Sequence, residues 1–171
     1  SQAISKAHST GGAAIAVDPR NGEVLAMVSA PTFDNNWFID ESKKKERQSA
    51  IVDSRKLLLN RAIAGQYPSG SIIKPLISAA ALAEKVITPA TTIISTGGLK
   101  IGPNYFPDWK SGGHGATNVA KAIAESVNTF YYEVGGGYEN QPGLGVERIV
   151  KYLQLFGWGS KTGIEIGRAH V

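Results

Sequence analysis

Two apolar runs joined by a turn-forming pentapeptide place the strongest constraint on this chain. Ala13-Ala14-Ile15-Ala16-Val17 is followed by Asp18-Pro19-Arg20-Asn21-Gly22, and then by Glu23-Val24-Leu25-Ala26-Met27-Val28-Ser29. Asn-Gly supplies the positive φ angles that a tight hairpin turn needs. The pattern predicts an antiparallel hairpin between Gly11 and Ala30. Both runs are nearly continuous in apolar residues, so burial is expected on both faces of the hairpin.

The remaining chain reads as mostly helical. Pro31–Trp37 is rich in turn formers, and Ile39–Leu59 is charged and helix-prone. From Gly70 to Lys85, the spacing of Ile73, Leu76, Ile77, Ala80 and Leu82 predicts a helix. Pro75 falls in its first turn, where a missing N–H costs little. Thr88–Gly115, dense in Gly, Pro and aromatic residues, is expected to be an ordered loop excursion. Asn118 is an N-cap candidate for a helix over Val119–Glu125. A second helix starts near Thr129 and ends at Gly135-Gly136-Gly137. Val146–Phe156 has helical spacing, and Gly157–Ile166 reads as a Gly-rich turn followed by a short strand. Three segments are expected: a disordered lead-in at 1–10, a folded region at 11–166, and a tail at 167–171.

Composition narrows the function. A length of 171 residues suits one domain or a piece of one. Cysteine is absent from the sequence, which excludes a disulfide framework, a Cys-ligated metal and a cysteine nucleophile. The formal charge is only +4. Its one dense basic run, Lys43-Lys44-Lys45-Glu46-Arg47, is flanked by acids and reads as a solvated helix face, so no nucleic-acid partner is assigned. No window reaches the roughly 18 apolar residues of a membrane span, and Ser1–Gly12 lacks an apolar signal core.

Without cysteine, the candidate nucleophiles are serines. A serine hydroxyl needs a base within hydrogen-bond reach. Ser at a helix start with Lys three positions on provides one, because i and i+3 share a helix face. Two Ser-x-x-Lys matches occur, Ser42–Lys45 and Ser71–Lys74, about what 14 Ser and 12 Lys produce by chance. Context separates them. Ser42 lies among charges. Ser71 follows the turn Tyr67-Pro68-Ser69-Gly70 and opens an apolar helix. Lys74 would be either the base or a lysine that snorkels to the surface. Ser126-Val127-Asn128 lies at a helix–helix junction. It would be either a cap or a second hydroxyl and amide beside the lysine. With Lys161-Thr162-Gly163, these segments complete a known triple set of serine acyl-transfer enzymes.

These residues resemble the transpeptidase domain of class B penicillin-binding proteins of the elongation type. The resemblance runs from about Gly11 to Ile166. It is carried by the Asp-Pro-Arg-x-Gly-Glu-Val-Leu-Ala hairpin, by Asn60-Arg61-Ala62 through Pro75, and by Asp108-Trp109 with Gly112-Gly113-His114-Gly115. Phe130-Tyr131-Tyr132 fits as well. The resemblance also revises the triple set. In the family a segment like Phe156–Glu165 is structural, and the catalytic Lys-Thr-Gly comes much later in the chain. Lys161 is therefore rejected as a catalytic residue.

The fold implied is α/β and β-lactamase/transpeptidase-like: an antiparallel sheet with a helical subdomain, here incomplete. The tail Gly167–Val171 departs from the family pattern. The implied activity is serine-type D-Ala-D-Ala transpeptidation of peptidoglycan stem peptides, with β-lactams acylating the same serine. Ser71 would be the nucleophile and Lys74 the proton acceptor. Ser126 would relay a proton, and Asn128 would orient Lys74 and bind substrate. Also implied are cell-wall elongation proteins as partners and a membrane-anchored parent acting in the periplasm or on the outer face. Two alternatives remain: a catalytically silent fragment lacking the third motif, and a β-lactamase or D,D-carboxypeptidase of the same superfamily. No cofactor is expected. Some relatives use the region of Asp108 and His114, with a Cys and another acid, to hold zinc. Lacking the Cys, this chain is assigned no metal.

Overall fold

The computed structural model describes residue 4 and residues 6–164. The tail at 167–171 lies outside the described residues. The chain divides into two compact units, 1–68 and 69–171.

The first unit is built on the hairpin. Strand β1 (Gly12–Val17) pairs antiparallel with β2 (Val24–Ala30), from Gly12 opposite Ala30 to Val17 opposite Val24, with an irregularity at Ala16/Val17. The turn is wider than Asn-Gly suggests. Asp18 N–H donates to Glu23 O at 2.8 Å and Gly22 N–H to Asp18 O at 2.8 Å. Gly22 alone among these turn residues takes a positive φ, +80°. Asn21 instead uses its side-chain oxygen to accept from Glu23 N–H, an Asx-type turn.

Helix α1 (Lys44–Val52) carries most of the basic run, with Lys44 and Lys45 exposed and Arg47 half-buried, and α2 (Arg61–Ala64) packs against the hairpin. Ser29 stitches the two together: its hydroxyl donates to Leu59 O at 3.1 Å and accepts from Arg61 N–H at 3.0 Å. The expected burial of both hairpin faces is not found. Leu25 is 63% and Val28 56% exposed, and Ile15 and Val17 are also exposed. The short α2 packs on the strands, and a single helical turn cannot cover two faces.

The second unit holds the main core. Helices α3 (Lys74–Ala83), α4 (Val119–Ala124), α5 (Asn128–Gly136) and α6 (Gly145–Leu155) surround Leu76, Ile77, Ala80, Val127, Phe130 and Val134. Phe130 and Val127 are wholly buried, which at about 25 cal/mol per Å² stabilises the unit by roughly 1.5–3 kcal/mol per side chain. Asn118 caps α4 as expected, its side chain accepting from Lys121 N–H. Gly137, at φ +83°, ends α5.

The segment read as loop contains short strands. Strand β3 (Ile93–Ser95) pairs antiparallel with β6 (Gly115–Thr117), and β4 (Gly98–Ile101) pairs with β5 (Asn104–Pro107). Three- and four-residue strands punctuated by glycine carry too little periodicity to be read from sequence. The strand expected within 157–166 is also absent from its described part, since Lys161–Ile164 are exposed and irregular.

One glycine here is required by space as well as by φ. Gly113 has φ +78°, and a Cβ on it would fall 2.2 Å from Ser95 O and 2.5 Å from Gly97 N. Gly112 has φ +79° but open space around its Cβ position. Gly112→Ala should therefore cost only the left-handed strain, about 1 kcal/mol. Gly113→Ala adds a backbone clash and should cost about 3 kcal/mol or more. Urea unfolding of the two variants checks this, and equal midpoints would refute it.

Candidate active site

The site grows from the start of α3. Gly70 takes φ +56°, and a 3-10 turn over Gly70–Ile73 leads into the helix, with Lys74 N–H bonded to Ser71 O. Pro75 occupies the first helical turn, where its missing N–H is harmless. This geometry leaves Ser71 exposed while Lys74, three positions on, points inward and is only 8% exposed.

A buried ammonium must place all its donors. Lys74 Nζ donates to Ser126 O at 2.7 Å, Ser126 Oγ at 3.0 Å and Asn128 Oδ1 at 2.6 Å. It also lies 5.3 Å from the centroid of the Tyr131 ring. The lysine does not snorkel. Ser126 reaches this position with φ +53°, rare for a residue with a Cβ, which turns both its carbonyl and its hydroxyl to the lysine. Ser126 Oγ in turn donates to Ser71 Oγ at 2.9 Å. The structure thus joins Ser71, Ser126 and Lys74 in one chain, with Asn128 beside it. The Ser71 hydroxyl is thus linked to the lysine through the Ser126 hydroxyl.

Burial lowers the Lys74 pKa from its ordinary value, and the nearby Asp108 carboxylate opposes part of that shift. Asp108 is itself buried. Desolvation pulls its pKa up, but donors from Thr129, Asn128 and Trp109 together outweigh this and hold it below the ordinary carboxylate value. Thr129 N–H and Oγ1 reach Asp108 Oδ2 at 2.9 and 2.8 Å, and Trp109 N–H reaches Oδ1 at 2.8 Å.

Sequence reading missed Tyr131 and Ser78. The Tyr131 hydroxyl is 2.8 Å from Ser78 Oγ, and its ring walls the lysine. The available signal was spacing, since Tyr131 stands three positions after Asn128 on α5 and so shares its face. An open groove of about 610 Å³, lined by Trp109, Lys110, His114, Ala124, Glu125 and Ser126, flanks Ser126. The zinc-holding arrangement of some relatives does not fit this chain. Cysteine is absent from the sequence, His114 Nδ1 is taken by Glu125 at 2.7 Å, and Asp108 Oδ2 is taken by Thr129.

Chemically, the arrangement can take a proton from a serine hydroxyl, hold it on a desolvated lysine and return it. That is the requirement for forming an acyl-serine.

Comparison with known proteins agrees. The model of the penicillin binding protein transpeptidase domain matches residues 12–169. The peptidoglycan D,D-transpeptidase MrdA of Haemophilus influenzae is 42% identical over 158 residues, covering 91% of this chain and 23% of the relative. The penicillin-binding protein PBP2 of Helicobacter pylori superposes with a TM-score of 0.79 at 34% identity, over 95% of this chain and 30% of that one. A complex of PBP2 with MreC from the same organism gives 0.79 at 34% identity, over 90% and 27%. The chain therefore spans about a quarter of the length of these relatives. On the match over 12–169 and the shared fold, this chain belongs to the family of penicillin binding protein transpeptidase domains.

Proposed function

We propose that this chain carries the nucleophile and base of a serine-type D-alanyl-D-alanine transpeptidase acting on peptidoglycan stem peptides. The observation that carries the reading is the connected Ser71–Ser126–Lys74 chain, with every Lys74 donor directed at Ser126 or Asn128.

Lys74 must be neutral to act. Ser71 Oγ then attacks the carbonyl of the penultimate D-Ala while its proton passes to Ser126, whose own proton passes to Lys74. The tetrahedral intermediate collapses, the peptide C–N bond breaks, and the terminal D-Ala leaves with a proton returned by the same route. An acyl-ester on Ser71 remains. Attack by an amine of a neighbouring stem peptide forms the new amide and restores the serine hydroxyl. A β-lactam follows the first half only: Ser71 opens the ring, and the ring nitrogen takes the proton. Asn128 holds Lys74 and offers its side-chain amide to the substrate backbone.

The likeness to MrdA, a peptidoglycan D,D-transpeptidase, supports action where peptidoglycan lies, outside the cytoplasmic membrane, and a membrane-anchored parent is part of the same proposal. It also supports partners from the cell-elongation machinery, as in the PBP2–MreC complex. No helix among the described residues is long and apolar enough to cross a membrane.

Two outcomes are expected. Incubation with benzylpenicillin adds one equivalent to the intact mass of the chain, and Ser71→Ala abolishes the adduct. A folded sample without adduct would reduce this polypeptide to an inactive piece of a transpeptidase. The second outcome concerns pH. Protonated Lys74 cannot accept, so the acylation rate should climb as pH rises through the folded-state pKa of Lys74, which lies below 10.5. Asp108→Asn removes the opposing carboxylate and should move the inflection to lower pH. Stopped-flow acylation against pH reads both, and a rate that does not rise with pH anywhere below 10.5 would sink the assignment of Lys74 as base.

A further inference from the structure

Ser126 holds a backbone conformation that a Cβ disfavours, so the chain on both sides must be held to keep it there. Both holds come from one segment, Asp108–His114. On the upstream side, Glu125 O accepts from Trp109 Nε1 at 3.0 Å, and Glu125 Oε2 lies 2.7 Å from His114 Nδ1. On the downstream side, Asp108 receives the N–H and hydroxyl of Thr129. The His114 side chain, 0% exposed, sits between these two carboxylates, with Nε2 3.6 Å from Asp108 Oδ1 and without a hydrogen-bond partner. His114 is fixed by its backbone as well: its N–H donates to Ser95 O at 3.1 Å, and its carbonyl accepts from Lys121 Nζ at 2.6 Å.

We propose that His114 is a positioning residue: its ring, seated between Glu125 and Asp108, fixes the Ser126–Asn128 turn on which Lys74 depends. The inference rests on the functional reading above for its purpose, but its test does not require turnover. All three Lys74 donors end on that turn. Loosening the turn admits water to the ammonium and returns the lysine toward ordinary behaviour. Nδ1 carries the short bond and Nε2 carries none, so the two ring nitrogens are not equivalent. An Asn amide stands near the Nδ1 position, whereas a Gln amide reaches toward the Nε2 position.

The experiment is an NMR titration of the Lys74 ¹³Cε signal in the full chain, with Lys74→Arg to assign it. His114→Phe, which keeps the apolar volume, should raise the Lys74 midpoint by about half a pH unit or more, as expected when a buried group regains solvent. His114→Asn should restore the wild-type midpoint and His114→Gln should not. Val134→Ala, a cavity in the core of α5, should lower the melting temperature and leave the midpoint in place. If His114→Phe does not fold, Glu125→Ala carries the test, because Glu125 lies at the surface and its loss cuts the same bond. A Lys74 midpoint unchanged in every folded variant of His114 or Glu125 overturns the proposal. So does a shift equally large in Val134→Ala, or rescue by Gln and not by Asn. Failure of the wild-type chain to take benzylpenicillin would instead count against the functional reading, and the Lys74 titration would still decide the role of His114.

Discussion

The buried ammonium of Lys74 sets the terms for the rest of the second unit. A cation out of water is stable only if its donors are satisfied, and here the acceptors are supplied by residues more than fifty positions away. Helix α3 must therefore dock against the junction of α4 and α5. Val127, wholly buried between Ser126 and Asn128, anchors that junction in the core while its polar neighbours face the lysine. Packing and chemistry are thus joined within three consecutive residues. A junction placed for packing alone would have no reason to hold Ser126 at a positive φ.

The support behind the junction is polar and mostly hidden from water. Asp108, Thr129 and Ser95 form a buried group linked by short and medium hydrogen bonds, with the His114 ring seated beside it. Such groups are costly when half satisfied and rigid when complete. The close approach of Gly113 to Ser95 and Gly97 lets the loop fold back far enough for His114 to enter. The small ladder of β3 and β6 fixes the two ends of that loop. The strands are short because they frame a loop and do not build a sheet face.

The helices were legible in the sequence because their apolar spacing and caps are local signals. Asn118, Pro75 and the glycines after Val134 mark boundaries that the structure keeps. The pair Ser71–Lys74 was legible only in context, since the same spacing at Ser42–Lys45 lies on an exposed basic face. The meeting of Lys74 with Ser126 and Asn128 is a tertiary event, and no local pattern encodes it; resemblance to a family brought those residues together before geometry did. The hydrogen bond from Ser126 to Ser71, the wall formed by Tyr131 and the His114–Glu125 bond depend on side-chain directions that spacing does not give. The hairpin shows the opposite failure. Its apolar runs correctly signalled strands, but apolarity states a demand for cover and does not say which residues meet it.

That unmet demand has a practical side. Among the described residues the hairpin has two strands, so each has an outer edge whose N–H and C=O groups lack a strand neighbour, and both faces carry exposed Leu, Val and Ile. An edge of this kind is a template for another chain. At high concentration such an edge favours self-association through β1 or β2. Handling it dilute is then a matter of guarding a sheet edge and not of rescuing a weak core.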